Sequence, residues 1–388
     1  MRYVQRDIRG LLSKAARAFP SVVLTGPRRA GKTMLLRRLF PKASYTLLED
    51  PGTVARITAD PQGFLEELPL PAILDEVQNM PDLFAHVRAR IDRNPRRTGQ
   101  WFLTGSQEAA LMRGVTESMA GRAAVLQLHP LSLRESPRVD LLRGGYPEAV
   151  ARPASAGLWF SSYVQTYLER DVRAVTNVRD LATFRRFMAL LATRHGQVLN
   201  KTDLAAPLGV SVPTITQWIG VLETTMQVLV VPPFYENLGK RLIKSPKVYY
   251  ADSGLACHLL GITGQRDLDR SPFAGAIFEG FIASELVKAQ VNKGQRRELY
   301  HFRDEQGLEV DFVLPLKNGG ASFIECKYTR SPVPAMAAAL QRLVAAFKAT
   351  GRKAEMRLVY RDGGRDAALG ALAPGVKAVA ATPFIKGL

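Results

Sequence analysis

The octapeptide Gly26-Pro27-Arg28-Arg29-Ala30-Gly31-Lys32-Thr33 holds the residue types that grip a polyphosphate. Glycines at 26 and 31 let the backbone turn tightly, so that several N–H groups face one anion, and the positive end of a following helix adds to the attraction. Lys32 can reach the β- and γ-phosphates, Thr33 can offer its hydroxyl to Mg²⁺, and Met34 opens the helix. The loop follows the apolar run Ser21–Thr25 and precedes the amphipathic stretch Met34–Phe40, the strand–loop–helix order of a P-loop. The ligand expected here is ATP with Mg²⁺.

Farther along, PLPAILDEVQ (Pro69–Gln78) reads as a short apolar strand that ends in two acids. It fits a Walker B element, in which Asp75 holds Mg²⁺ through water and Glu76 polarises the attacking water. The plainer alternative is a pair of acids opening the next helix. A strand at Gln100–Thr104 ends in the polar tip TGSQ, where Thr104 and Ser106, with Gln107 behind, are candidates to touch the γ-phosphate or the lytic water. A helix cap by Ser106 is the rival reading.

A second constellation lies in the last third, where Asp311 sits in LEVDFVLPL and Glu325-Cys326-Lys327 in ASFIECKYT. Residues two apart on a strand share a face, so Glu325 and Lys327 point together while Cys326 turns into the core. With Asp311 alongside, they offer two hard oxygen ligands for Mg²⁺ or Mn²⁺ and a cation near a lytic water. Glu279, on a preceding helix, could complete the site, with Glu285 the poorer choice. The alternative is a fold kept for binding, with no cleavage.

Elements must position these groups. Before and after Pro69–Gln78 the chain alternates apolar runs with amphipathic stretches: strands at Ser44–Glu49 and Ala123–Leu128, a polar helical stretch to Leu68, and a helix at Pro81–Asp92. That pattern predicts a doubly wound parallel sheet with its site at the strand carboxyl ends. Residues Arg6–Phe19 read as a basic first helix packed on this domain. From Gly145 to Ala174 the chain is helical, with Trp159, Tyr163 and Tyr167 on one apolar face. Helix Leu181–Thr193 follows, and Asn200–Gln227 has helix-turn-helix spacing, with Ser211 capping the second helix and Pro213 in its first turn. Strands Val228–Val231 and Lys247–Tyr250 flank a basic loop, Gly239–Lys244, as in a winged helix. Thr214, Thr216 and Gln217 would then face a groove, with Lys240, Arg241 and Lys244 on phosphates. The last third reads helix, three strands, helix, strand.

Length and composition bound the rest. A chain of 388 residues should form two or three domains, and its 46% apolar and 23% charged shares are those of an ordinary globular protein. The expected units are 1–145, 146–255 and 256–388. No run reaches the length of a membrane span, and two cysteines, Cys257 and Cys326, cannot build a disulfide framework, so a reducing cytoplasm is the expected compartment. An excess of 53 Lys and Arg over 35 Asp and Glu gives a formal charge of +18, which favours nucleic acid or another anionic surface as partner.

The ordered set GPRRAGKT, ILDEVQ, FLTGSQ, AGRAAVLQLHPLSLRE and RGGYPEAV resembles the prokaryotic AAA-type ATPases that carry a C-terminal domain of unknown function. The resemblance implies an AAA+ P-loop domain with its strand order and assembly into a homo-oligomeric ring, hexameric by expectation, with ATP at subunit boundaries. It also implies an arginine finger from a neighbour, for which Arg122 in the AGR stretch is the candidate and Arg113 the runner-up. Asp311 and the Glu325–Lys327 triplet are similar to the D…ExK motif of the PD-(D/E)xK nucleases, and Gly275–Glu279 to the acid-bearing helix of their junction-resolving members. Together these imply α/β architecture throughout: a P-loop ATPase, a winged-helix middle and a restriction-endonuclease-like C-terminal domain acting on branched or single-stranded DNA.

Overall fold

The apolar run Ser21–Thr25 forms strand β1, buried along its whole length, and the glycine loop then leads into a helix, Lys32–Leu39, that turns Leu35 and Leu36 inward. The architecture comes from a computed structural model, which describes residues 3–106, 119–167, 172, 180–234, 244–317, 319–349, 351–362 and 370–388. Gln107, Arg113, Lys240 and Arg241 therefore lie outside the described residues.

Strands β2 (Ser44–Leu47), β3 (Ala72–Asp75), β4 (Trp101–Gly105) and β5 (Ala123–Gln127) join β1 in one parallel sheet of order β2-β3-β4-β1-β5. This is the order that the AAA+ resemblance implies. Strands covered on both faces need continuous apolar runs, and β1, β3 and β4 are buried at every position. The helix Arg9–Ala18 lays Leu12, Ala15 and Ala16 against this sheet. Between β2 and β3 the expected single helical stretch is two helices, Pro51–Ala59 and Pro61–Glu67. Asp60 stops the first and caps the second by accepting from Gly63 N, with Pro61 fixed in the first turn.

In the middle region Tyr163 and Tyr167 are core residues, and Trp159 stacks on Tyr163 with ring centroids 5.0 Å apart. Asn200 caps the helix Lys201–Ala205, and a further turn to Leu208 ends at Gly209 in the left-handed region. The next helix, Val212–Thr224, leaves at a bend of 108° and is capped by Ser211, as its sequence predicts. Strands β6 (Gln197–Val198), β7 (Val228–Val231) and β8 (Lys247–Tyr250) make an antiparallel sheet of order β6-β8-β7.

The C-terminal region opens with a long helix, Ala274–Asn292. It continues through β9 (Tyr300–Arg303), β10 (Glu309–Pro315), β11 (Ala321–Lys327), a helix Ala338–Lys348 and β12 (Ala354–Tyr360). Beyond the expected order come β13 (Ala371–Ala373), β14 (Val376–Ala380) and a final helix, Ala381–Lys386. The sheet runs β13-β14-β12-β11-β10-β9. Both added strands are rich in alanine, a weak strand former, so nothing in their composition announces them. One apolar core joins the regions, with Leu131, Leu229, Tyr249, Phe281 and Phe312 all in it. Among the described residues no single helix is long and apolar enough to cross a membrane.

Candidate functional site

The phosphate loop is shaped by two glycines. Gly26 lies so close to the end of β5 that a Cβ there would stand 2.2 Å from Leu128 O. Gly31, at φ 96°, makes the left-handed turn that starts the helix. Lys32 is buried, and its Nζ donates to Gly26 O at 2.8 Å and Pro27 O at 3.1 Å, so the ammonium lies folded over the cradle. Arg29 also adopts positive φ, Arg28 stands 3.7 Å from Glu49, and Met34 is exposed at the pocket's lip.

Asp75, at the carboxyl end of β3, is held by three hydroxyls. Thr33 Oγ1 donates to its Oδ2 at 2.7 Å, Tyr45 Oη to the same oxygen at 2.9 Å, and Thr104 Oγ1 to Oδ1. Burial and the Asp75 hydrogen bond push the Tyr45 phenol up. Glu76 follows in the left-handed region at φ 59°, and Gln78 and Ser106 both donate to its Oε2. A cavity of about 400 Å³ opens between the loop and these acids. Its size and its Lys32, Thr33 and Asp75 lining fit a nucleotide with Mg²⁺.

Several placements differ from, or add to, the sequence expectations. Thr104 is fully buried and donates to Asp75, and Ser106 stands beside Glu76. Arg122 stands at the start of β5, the sheet end opposite the loop, and Asp92 grips its guanidinium at 2.6 and 3.1 Å. Sequence reasoning missed Arg6, whose buried guanidinium donates to Ala30 O at 2.9 Å and His129 O at 2.6 Å and so braces the phosphate loop. It also missed Tyr45, Pro147 and Glu148, the latter two lining the pocket from beyond β5.

The second cluster forms on the C-terminal sheet. A register shift in β10 between Val310 and Val313 re-aims Asp311, whose Oδ2 accepts from Cys326 N at 2.8 Å. Glu325 and Lys327 share a face of β11, with Lys327 Nζ 2.6 Å from Glu325 Oε1. Cys326 is buried in the apolar core as expected, and burial pushes its thiol up. Burial and then the Asp311 charge push the Glu325 carboxyl up to about 8. Glu325 Oε2 is buried and has no hydrogen-bond partner.

Glu279 is placed differently from the expectation. Its Oε1 accepts from Lys247 Nζ at 2.8 Å and from Tyr249 Oη, both on β8 of the middle sheet. Lys247 also stands 2.5 Å from Glu309 and 3.7 Å from Asp311. Burial and Asp311 push Glu279 up to about 7. Glu285 lies apart, paired with Lys288 at 2.9 Å and accepting from Leu133 N at 3.0 Å. Among the described residues no three His, Cys, Asp or Glu side chains converge as an ion's ligands. Asp311 with the unpartnered Glu325 oxygen still fits a hard divalent ion, which often takes only one or two carboxylates beside water and phosphate. Lys247 and Tyr249 went unread because an inward lysine in the strand KVYY looks like an edge residue until its partners arrive from other elements.

The AAA domain family matches residues 18–136, and two domains of unknown function match 135–266 (DUF8612) and 274–380 (DUF4143). Uncharacterized proteins of Mycobacterium tuberculosis and Mycobacterium bovis are each 34% identical over 337 residues, covering 84% of this chain and 75% of theirs. Among solved structures, a Walker-type ATPase of Pyrococcus abyssi is similar with a TM-score of 0.43 at 14% identity, covering 65% of this chain and 94% of that one. The Holliday junction branch migration motor of Thermotoga maritima gives a TM-score of 0.32 at 16% identity, covering 59% and 90%.

Proposed function

This chain belongs to the family of the mycobacterial proteins that it matches and carries an AAA domain over residues 18–136, and we propose that this AAA-type ATPase uses ATP hydrolysis to work on DNA, with a metal-dependent nuclease centre in its C-terminal region. In hydrolysis, Lys32 would leave the loop carbonyls for the β- and γ-phosphates, and Thr33 and Asp75 are the residues that would hold Mg²⁺. The ion, when bound, neutralises phosphate charge. Glu76, held by Gln78 and Ser106, orients the attacking water and takes its proton. Arg122 completes the site of a neighbouring subunit in a ring, hexameric by expectation, after exchanging Asp92 for the γ-phosphate.

DNA is the proposed partner because the chain carries a formal charge of +18 and presents two helices bent by 108° with Thr216 and Gln217 exposed on the second. The observation that carries the nuclease reading is Glu325 Oε2, a buried carboxylate oxygen with no partner on a residue that Asp311 repels. A buried carboxylate oxygen without a partner is costly, and Mg²⁺ or Mn²⁺ on Asp311 and Glu325 would relieve it. Lys327 would then steady the attacking water or the phosphate. A second reading, a binding module without cleavage, is favoured by Lys247, which already supplies the Glu279 side of the cluster with a cation.

The test is Mn²⁺-dependent nicking of branched and single-stranded DNA by the full chain, alongside ATP hydrolysis with and without DNA. Nicking that disappears in Asp311→Asn and Lys327→Ala, with ATP hydrolysis retained, supports the nuclease. DNA-stimulated hydrolysis without nicking selects the binding module. No response to DNA in either assay removes DNA as the partner.

A further inference from the structure

We propose that Lys247 is a resident cation that competes with a divalent metal for the C-terminal carboxylates and so limits how readily that site is loaded. This rests on the reading of Asp311 and Glu325 as metal ligands. Lys247 does not belong to the sheet that carries those acids. It comes from β8 of the middle sheet, and its side chain is only 2% exposed. Strand alternation explains how it gets there. Val248 and Tyr250 pack into the core of the middle region, while Tyr249 joins the core shared with the C-terminal region. Lys247 and Tyr249 therefore face the long helix together and meet Glu279.

A buried ammonium is tolerated only when it is well paired, and this one has Glu279 at 2.8 Å, Glu309 at 2.5 Å and Asp311 at 3.7 Å. Arg303 adds a further cation 3.5 Å from Glu309, and Lys327 pairs with Glu325. Glu279, Glu309, Asp311 and Glu325 thus meet three cations, Lys247, Arg303 and Lys327. Glu325 Oε2 has no hydrogen-bond partner, while Lys247 already places a positive charge beside Asp311. An ion bound to Asp311 would face the ammonium across the same carboxylate, and the two cations would repel. Without Lys247 the carboxylates lose one buried cation, and their pull on a divalent ion grows.

The measurement is a calorimetric Mn²⁺ titration of the full chain, unchanged and as Lys247→Met, each also carrying Asp311→Asn. Removing one cation at this range should tighten Mn²⁺ binding by about tenfold or more, with the gain lost when Asp311→Asn is added. Lys247→Gln, which keeps a hydrogen bond to Glu279, repeats the comparison where the methionine variant does not fold. Lys247→Arg keeps the charge and should show no gain. Equal or weaker binding in the neutral variants, with Asp311-dependent binding in the unchanged chain, overturns the competition and leaves the metal reading standing. Absence of Mn²⁺ binding in every protein overturns both.

Discussion

Thr33 Oγ1 donates to Asp75 Oδ2 at 2.7 Å, tying the phosphate loop to the end of β3 across 42 residues of sequence. The contact places a hydroxyl and a carboxylate where one Mg²⁺ can use both, and it leaves the next residue, Glu76, free of that duty. The two acids should therefore fail differently. Glu76→Gln should bind ATP normally and lose about 10²- to 10⁴-fold in hydrolysis, the usual worth of a positioned base. Lys32→Ala should weaken binding itself. Nucleotide affinity and phosphate release, measured on both variants, check this; native turnover in Glu76→Gln would remove the Walker B assignment.

Tyr45 gives a subtler test. Its hydroxyl is one of three that fix Asp75, at 2.9 Å. Tyr45→Phe keeps the ring and deletes one hydrogen bond to a charged acceptor, a loss of about 1 kcal/mol at this partly exposed position. The Mg²⁺ concentration for half-maximal hydrolysis should rise about fivefold, with the rate at saturating Mg²⁺ nearly unchanged. An identical Mg²⁺ dependence in the variant would show that Thr33 and Thr104 hold Asp75 alone.

The contrast between these residues explains what could be read from sequence. The loop, β1 and β3 were legible because apolar runs and glycines are local signals, and Asp75 and Glu76 follow directly from the end of a run. Asp60 as a stop and a cap in one residue was not, since DP inside a polar helical stretch looks like any first turn. Arg6 reaches His129 over 123 residues and Lys247 reaches Glu279 over 32, contacts that only packing creates. Thr104 reads from sequence as a candidate for the γ-phosphate or the lytic water, and its bond to Asp75 comes from packing. The side chain is fully buried, and strand β3 beside it supplies the nearer partner.

Binding to DNA should be dominated by phosphate contacts. The helix Val212–Thr224 has no lysine or arginine, so its exposed Thr216 and Gln217 offer little charge. Replacing Lys240, Arg241 and Lys244 together by Ala should lower the slope of log affinity against log salt by up to about 2.7, roughly 0.9 for each lost phosphate contact. Fluorescence anisotropy at several salt concentrations reads the slope. If the slope does not change, the contact lies on another face.

Acid stability should be set in part by two buried histidines. Burial lowers His195 to about 3, and burial with the charges of Lys288, Arg297 and Arg6 lowers His129 to about 3. His195 Nδ1 accepts from Tyr250 N at 3.0 Å, and a Cβ on Gly280 would stand 2.1 Å from its Nε2, so the ring is tightly enclosed. The sign follows from proton counts. Below the ordinary value of about 6.5 the unfolded chain takes up protons that the folded chain refuses, so the unfolded state gains. The stability contribution is whole above that value and falls as the pH drops toward about 3, at about 1.4 kcal/mol per pH unit for each ring. Glu279 and Glu325, pushed up to about 7 and about 8, act in the opposite direction over an overlapping range, because the folded state holds their protons longer. The useful reading is therefore a difference. His195→Gln, whose side-chain oxygen can still accept from Tyr250 N, should lose less stability than the unchanged chain between pH 6.5 and 4.5, by about 1.4 kcal/mol per unit in urea titrations. Parallel pH profiles for the two proteins would mean that His195 takes a proton in the folded state as easily as in the unfolded one.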